Sequence, residues 1–167
     1  MNEHINSVIF VMGVSGSGKS TIGKLLSLKL SLPYFEGDEY HSPENIAKMS
    51  AAQPLTDIDR QVWLESLNQL AINQGKNKGC IIGCSALKEK YRKTLAKGVS
   101  QPVYFVFLEG NFEIISQRLQ NRKGHFMPPA LLQSQFEALQ IPENAIKINI
   151  LDPPEQIVNN IIQNLSH

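Results

Sequence analysis

The chain has two cysteines, almost no net charge and no long hydrophobic run, and each shortage excludes something. Cys80 and Cys84 stand in CIIGC. Positions four apart on a strand share a face but sit roughly 13 Å apart at ~3.3 Å per residue. A disulfide needs its Cα atoms within about 7 Å. Two small buried thiols are expected, with neither a bridge nor a metal clip. Lys+Arg 16 against Asp+Glu 15 leaves a formal net charge of +1 over 167 residues. That balance gives no footprint for nucleic acid. Lys88, Lys90, Arg92, Lys93 and Lys97 form a local basic stretch spaced for the wet side of a short helix. The longest apolar runs are strand-sized, so no membrane span is expected. The N-terminal MNEHINS lacks the basic and apolar regions of a secretory signal. A cytoplasmic protein is the expectation.

With 42% apolar residues, the composition is that of an ordinary globular chain long enough to bury a core. Strand-like runs alternate with helical patterns throughout. SVIFVMGV (7–14) is continuous and β-branched, as in a strand buried on both faces. LPYFEGD (32–38), CIIGCSA (80–86), VYFVFLEG (103–110) and AIKINIL (145–151) are the other four strands. Helices are predicted over 19–30, 43–50, 57–74, 88–97 and 112–122. A last helix opens with Asp152 as its cap and Pro153 at its first position. For the 57–74 helix, Asp57 is the expected cap, and Ile58, Val62, Trp63, Leu67, Leu70 and Ala71 form the apolar stripe. Alternation of this kind predicts one α/β domain over 1–167, with helices on both faces of a five-stranded, mostly parallel sheet. No repeat or low-complexity linker interrupts it. The stretch 123–143, with His125, Pro128 and Pro129, is too long for an ordinary connection. It reads as a lid or as a helical hairpin packed on the body.

GVSGSGKST (13–21) satisfies G-x-x-x-x-G-K-[ST] in full, between a predicted strand and a predicted helix. Its glycines let consecutive backbone N–H groups converge on an anion, and the following helix adds its dipole. Gly13, Ser15, Gly16, Ser17, Gly18, Lys19, Ser20 and Thr21 are therefore the candidate nucleotide-binding residues. Lys19 is placed to reach the β- and γ-phosphates, and Ser20 to ligate Mg²⁺. The third strand ends in Cys84 and Ser85, without the carboxylate that a hydrolytic motor carries there. Parallel strands deliver their carboxyl ends to one crevice. Asp38, after the second strand, is accordingly the candidate to orient the acceptor hydroxyl, to act as its base, or to hold Mg²⁺ through water.

Arg118 and Arg122 are four apart, sharing a helical face at the entrance to the lid. Two cations on one face suit a transferring phosphoryl group, whose charge spreads over three oxygens, although two solvated arginines would look the same. Arg60 opens a helix, where a cation opposes the dipole, so it needs a partner. Asp57, Asp59 or an anionic substrate could each supply it.

Together these pieces resemble the gluconate kinase family, small P-loop sugar-acid kinases related to shikimate and nucleoside monophosphate kinases. GVSGSGKSTIG (13–23) is the common part. EGDEYHSPENIAKMSAAQPLTDIDRQVWL (36–64), CSALKEKYR (84–92) and RLQNRKGHFMPPALLQSQFEAL (118–139) are far more specific. Departures are Ser42 for a usual proline, Ala52 for glycine and Val62 for proline. The resemblance implies a P-loop NTPase three-layer α/β/α fold with a helical lid over about 118–143. It implies ATP and Mg²⁺ as cofactors, D-gluconate as acceptor, 6-phospho-D-gluconate as product, and a homodimer. Lys19, Asp38, Arg118 and Arg122 would be catalytic. Asp38, His41, Lys48 and Arg60 would meet the sugar acid, Arg60 taking its carboxylate. His41 equally suits a turn-stabilising role, and Lys88 is either a substrate contact or a surface lysine. The rival readings are a kinase for another small acid such as idonate or shikimate, a nucleotide-gated regulatory protein, and an ATPase module of a larger machine.

Overall fold

The computed structural model describes residues 6–122 and 128–165. His125 lies outside the described residues. Five strands, β1 (Val8–Met12), β2 (Tyr34–Glu36), β3 (Cys80–Gly83), β4 (Val103–Glu109) and β5 (Ile146–Asn149), form one sheet in the order β2-β3-β1-β4-β5. Every pairing is parallel, with Val8 opposite both Cys80 and Val103 in register. The helices are α1 (Lys19–Leu30), α2 (Pro43–Ser50), α3 (Asp57–Asn77), α4 (Glu89–Ala96), α5 (Phe112–Gln120), α6 (Pro129–Ala138) and α7 (Pro154–Leu165). A 3-10 turn over Gly37–Tyr40 follows β2.

Side chains alternate across a strand, and β1 shows what that does to a central one. Ile9 and Val11 enter one core with Ile22 and Leu26 of α1, Ile115 of α5 and Ile157, Val158 and Ile161 of α7. Val8, Phe10 and Met12 enter the other, with Trp63, Leu64, Leu67 and Ala71 of α3 and Leu95 of α4. Each fully buried Ile or Leu contributes about 1.5–3 kcal/mol. Two such cores make the sheet the rigid layer between helices. Cys80 and Cys84 are free, buried thiols in the same core, and burial pushes both up to about 12.

Three expectations about local structure need correcting. The cap of α3 is Thr56, whose hydroxyl accepts from the Asp59 N–H at 3.1 Å while the Asp59 carboxylate accepts from the Thr56 N–H at 2.9 Å. This capping box frees Asp57 for other partners. Ile58 and Val62 face solvent, at 87% and 69% exposed, and the buried stripe runs through Trp63, Leu64, Leu67 and Ala71. Trp63 fixes that rotation, because its indole N–H donates to the Gly37 carbonyl at 2.8 Å. Helix α7 starts at Pro154, with the Pro153 carbonyl accepting from the Ile157 N–H, so the entry lies one residue later than predicted. Among the described residues no helix is long and apolar enough to cross a membrane.

Candidate active site

The chain leaves β1 into the phosphate loop and re-enters regular structure at Lys19. A Cβ on Gly13 would lie 2.7 Å from the Ser17 hydroxyl, so glycine is required where the loop closes on itself. Gly18 has φ +102, a left-handed backbone that favours glycine, and a Cβ there would meet no atom within 4 Å. No side chain caps α1. Its first amides, with Ile22 the first to bond back to Gly18, remain available to an anion. The loop therefore fits polyphosphate: a concavity lined by backbone donors, of which the Ser15 N–H is held by the Gln135 side chain. Gly13 and Ser17 shape it from within. Ser17 N–H donates to the Val14 carbonyl, and its buried hydroxyl has no partner among the described residues. The wall of the phosphate cleft, about 510 Å³, comes from Ser15, Gly16, Gly18, Lys19, Ser20 and Thr21, joined by Lys24, Glu36, Asp38, Leu119 and Arg122.

Lys19 folds across the loop and donates to the Gly13 and Val14 carbonyls, each at 3.0 Å. Burial pushes its ammonium below the usual lysine value, and the nearby Asp38 carboxylate opposes that shift. Ser20 donates to Glu36 at 2.5 Å, and Tyr34 donates to the same Glu36 oxygen at 3.1 Å. Ser20, Glu36 and Asp38 thus border one cleft with hard oxygen donors, the type that suits Mg²⁺. Glu36 is absent from the sequence prediction, which looked for a carboxylate after β2 and passed over the one that ends it.

A second cleft of about 360 Å³ opens beside the first. Its polar wall includes Asp38, His41, Arg60, Ser85, Lys88 and Gln135. Ser15, Lys19 and Asp38 line both clefts. His41 is buried and stacks on Trp63, ring centroids 4.2 Å apart at 15°. Asn45 Nδ2 donates to the Asp59 carbonyl at 2.8 Å and lies 3.3 Å from His41 Nδ1. That makes Nδ1 the acceptor and leaves Nε2–H as the ring's donor. Burial pushes the imidazole below its ordinary value, Asp38 opposing and Arg60 reinforcing.

Arg60 sits beside neither neighbouring aspartate. Its guanidinium donates to the Leu55 carbonyl at 2.5 Å and to Tyr91 Oη at 3.3 Å, with its carbon 5.4 Å from the Tyr91 ring centre. Tyr91 in turn donates to Asp57, which also accepts from Lys90 and, at 3.2 Å, from Lys88. Those three donors hold the Asp57 carboxyl well below the usual range. Asp59 is taken by Lys48 at 2.8 Å and by the cap. Arg60 has no carboxylate partner among the described residues. Its charge faces the second cleft instead.

Three predicted residues land elsewhere. Lys48 is engaged by Asp59 and does not line the second cleft, although its neighbour Met49 does. Arg118 donates to the Ile150 carbonyl at 2.7 Å, while Arg122 lines the phosphate cleft. Helix α5 ends at Gln120 and the Arg122 N–H bonds Leu119, so the two guanidiniums do not share a helical face as predicted. Arg92 of the basic stretch is buried, donating to the Ala86 and Gln140 carbonyls at 2.7 and 2.8 Å. Gln135 and Tyr91 escaped the sequence reading because uncharged side chains gave no motif to follow.

A phosphate loop at the carboxyl end of β1, a parallel α/β/α sheet and a second cleft sharing Lys19 and Asp38 define a P-loop kinase. The sequence profile described as Shikimate kinase matches residues 15–165. The thermosensitive gluconokinase of Escherichia coli K12 is 50% identical over 134 residues, 80% of this chain and 71% of that one. The gluconokinase of Arabidopsis thaliana is 41% identical over 97% of this chain and 94% of its own. The crystal structure of a gluconokinase from Sinorhizobium meliloti superposes with a TM-score of 0.89 at 38% identity, covering 98% and 94% of the two chains. The chain belongs to the gluconokinase family.

Proposed function

We propose that the protein transfers the γ-phosphoryl group of ATP to the terminal hydroxyl of D-gluconate, giving 6-phospho-D-gluconate and ADP. The observation that carries this is the meeting of the two clefts at Ser15, Lys19 and Asp38. A phosphoryl group held on the loop and a hydroxyl held in the neighbouring cleft would face each other there. The charge of Arg60, which meets no carboxylate among the described residues, suits the acid's carboxylate, and a guanidinium can hold it by two bonds. His41 Nε2–H suits a sugar hydroxyl oxygen, and Lys88, fixed by Asp57, borders the same cleft.

Asp38 takes the proton from the acceptor hydroxyl as the new O–P bond forms and the bond to the ADP oxygen breaks. Lys19 and Arg122 stabilise charge on the transferring group, with the backbone amides of the loop. Arg118 serves by tying α5 to Ile150, and Lys48 by holding Asp59. Ser20, Glu36 and Asp38 are the residues that would hold Mg²⁺, which when bound neutralises charge on the phosphates. Of the lid expected over 118–143, residues 123–127 lie outside the described residues; α6 walls the acceptor cleft and excludes water that would otherwise consume ATP. The family resemblance supports one catalytic domain in a cytoplasmic protein and a homodimer, and light scattering of the purified protein checks the dimer.

Phosphorus NMR of the product tests the reaction. A terminal ester couples its phosphorus to two methylene protons and gives a triplet. A doublet would place the phosphate on a secondary hydroxyl and overturn the assigned pose.

A further inference from the structure

Helix α6 hydrogen-bonds the phosphate loop through Gln135, both ends of whose side chain are used. Gln135 Oε1 accepts from the Ser15 backbone N–H at 2.8 Å, and Gln135 Nε2 donates to the Ser15 hydroxyl at 3.1 Å. The amide orientation follows from chemistry, since a backbone N–H can bond only the carbonyl end. This contact joins residues 120 apart in sequence and clamps the wall of one cleft to the floor of the other. Ser15 N–H belongs to a loop whose amides are arranged for phosphate oxygens, and here a neutral carboxamide oxygen has taken that place.

We propose that Gln135 is a positioning residue that reads the nucleotide's state: it holds Ser15 N–H until a γ-phosphate takes its place. A phosphate oxygen makes the stronger, charge-assisted bond to the same N–H. An ADP phosphate chain, ending one unit earlier, leaves the carboxamide where it is. Helix α6 carries Leu131, Ser134, Gln135 and Ala138 into the acceptor-side cleft. Release of Gln135 by triphosphate therefore frees one wall of that cleft only when a transferable group is present. By linkage, the effect is reciprocal between the two ligands. The inference rests on the proposed function for the nucleotide alone and does not depend on which acid is the acceptor.

The test is calorimetric titration of wild type, Gln135→Ala and Gln135→Glu with Mg-ADP and with a non-hydrolysable Mg-ATP analogue, no acceptor being present. Gln135→Ala removes the competitor and is expected to tighten the analogue about 2- to 10-fold, the worth of one net hydrogen bond, with ADP within twofold. Gln135→Glu keeps an acceptor for Ser15 N–H but sets a negative charge against the γ-phosphate. It is expected to weaken the analogue relative to ADP. Unchanged ADP affinity also reports that each variant is folded. The proposal is overturned if Gln135→Ala leaves the analogue-to-ADP ratio at its wild-type value, or if it weakens the analogue, which would make Gln135 a phosphate ligand. A wrong choice of acceptor would leave every arm of this experiment intact.

Discussion

Replacing Arg60 by alanine tests the acceptor side of the site most sharply. The guanidinium is half-buried, steadied by the Leu55 carbonyl and Tyr91, and its charge is met by no carboxylate among the described residues. A hydrogen bond to a charged group is worth about 1.5–3 kcal/mol, which converts to a rise in KM for gluconate of roughly 10- to 150-fold. Tyr91 keeps its bond to Asp57, so the far side of the network survives. The Leu55 carbonyl loses its donor in a part-buried contact, at a cost of about 1 kcal/mol, and Tm should fall by a few degrees for a chain of this size. Kinetics are therefore measured at 20 °C or below, where the variant remains folded. Arg60→Lys retains the charge but not the planar fork, and its KM should fall between the two. In a coupled ADP assay, KM for ATP should stay within about twofold. A variant that loses ATP affinity while keeping its gluconate KM would refute the assignment and move Arg60 to the nucleotide side.

Lys19→Ala should lower kcat by about 10²-fold or more, the scale of losing one preorganised charge donor, and unchanged turnover would remove it from the reaction. Asp38→Asn should abolish transfer while calorimetry still detects ATP; substantial residual kcat would show that another group takes the proton. Glu36→Gln should raise the Mg²⁺ concentration needed for half-maximal rate, and an unaltered Mg²⁺ titration would confine Glu36 to a structural role. Burial holds His41 below its ordinary value, so the unfolded chain takes up that proton first. Stability from this group is intact above pH ~7 and declines as pH falls below about 6.5, and His41→Gln should flatten that limb of the Tm–pH curve. Gly23→Ala would bring a Cβ within 2.2 Å of the Tyr34 ring. Overpacking should cost about 1–3 kcal/mol of stability, lowering Tm, and Tyr34 should loosen its hold on Glu36.

The sheet was legible because its signal is redundant. Central strands such as VIFVM are apolar on both faces, and the helices between them carry 3.6-residue periods. The phosphate loop was legible because few sequences meet its geometric demands. What escaped the sequence depends on tertiary partners. Trp63, Leu67 and Ala71 of the predicted α3 stripe are buried, but Ile58 and Val62, which also fit the apolar period, face solvent while Leu64 turns inward beside the Trp63–Gly37 hydrogen bond. From sequence, Asp57, Asp59 or an anionic substrate could each have partnered Arg60; only the fold shows that Thr56 and Lys48 claim Asp59 and that Tyr91, Lys88 and Lys90 claim Asp57. Glu36 was hidden inside a three-residue strand, and only its bond to Ser20 reveals it. Gln135 acts across 120 residues, a separation that no local pattern encodes.

The most direct test of the central claim is ADP release with Mg-ATP against D-gluconate, L-idonate, shikimate, AMP and no acceptor. Rapid turnover is expected with D-gluconate, little with the other acids and AMP, and almost none without acceptor. Bound ATP with silence across the whole panel would contradict the claim and leave a nucleotide-gated regulator as the reading to pursue.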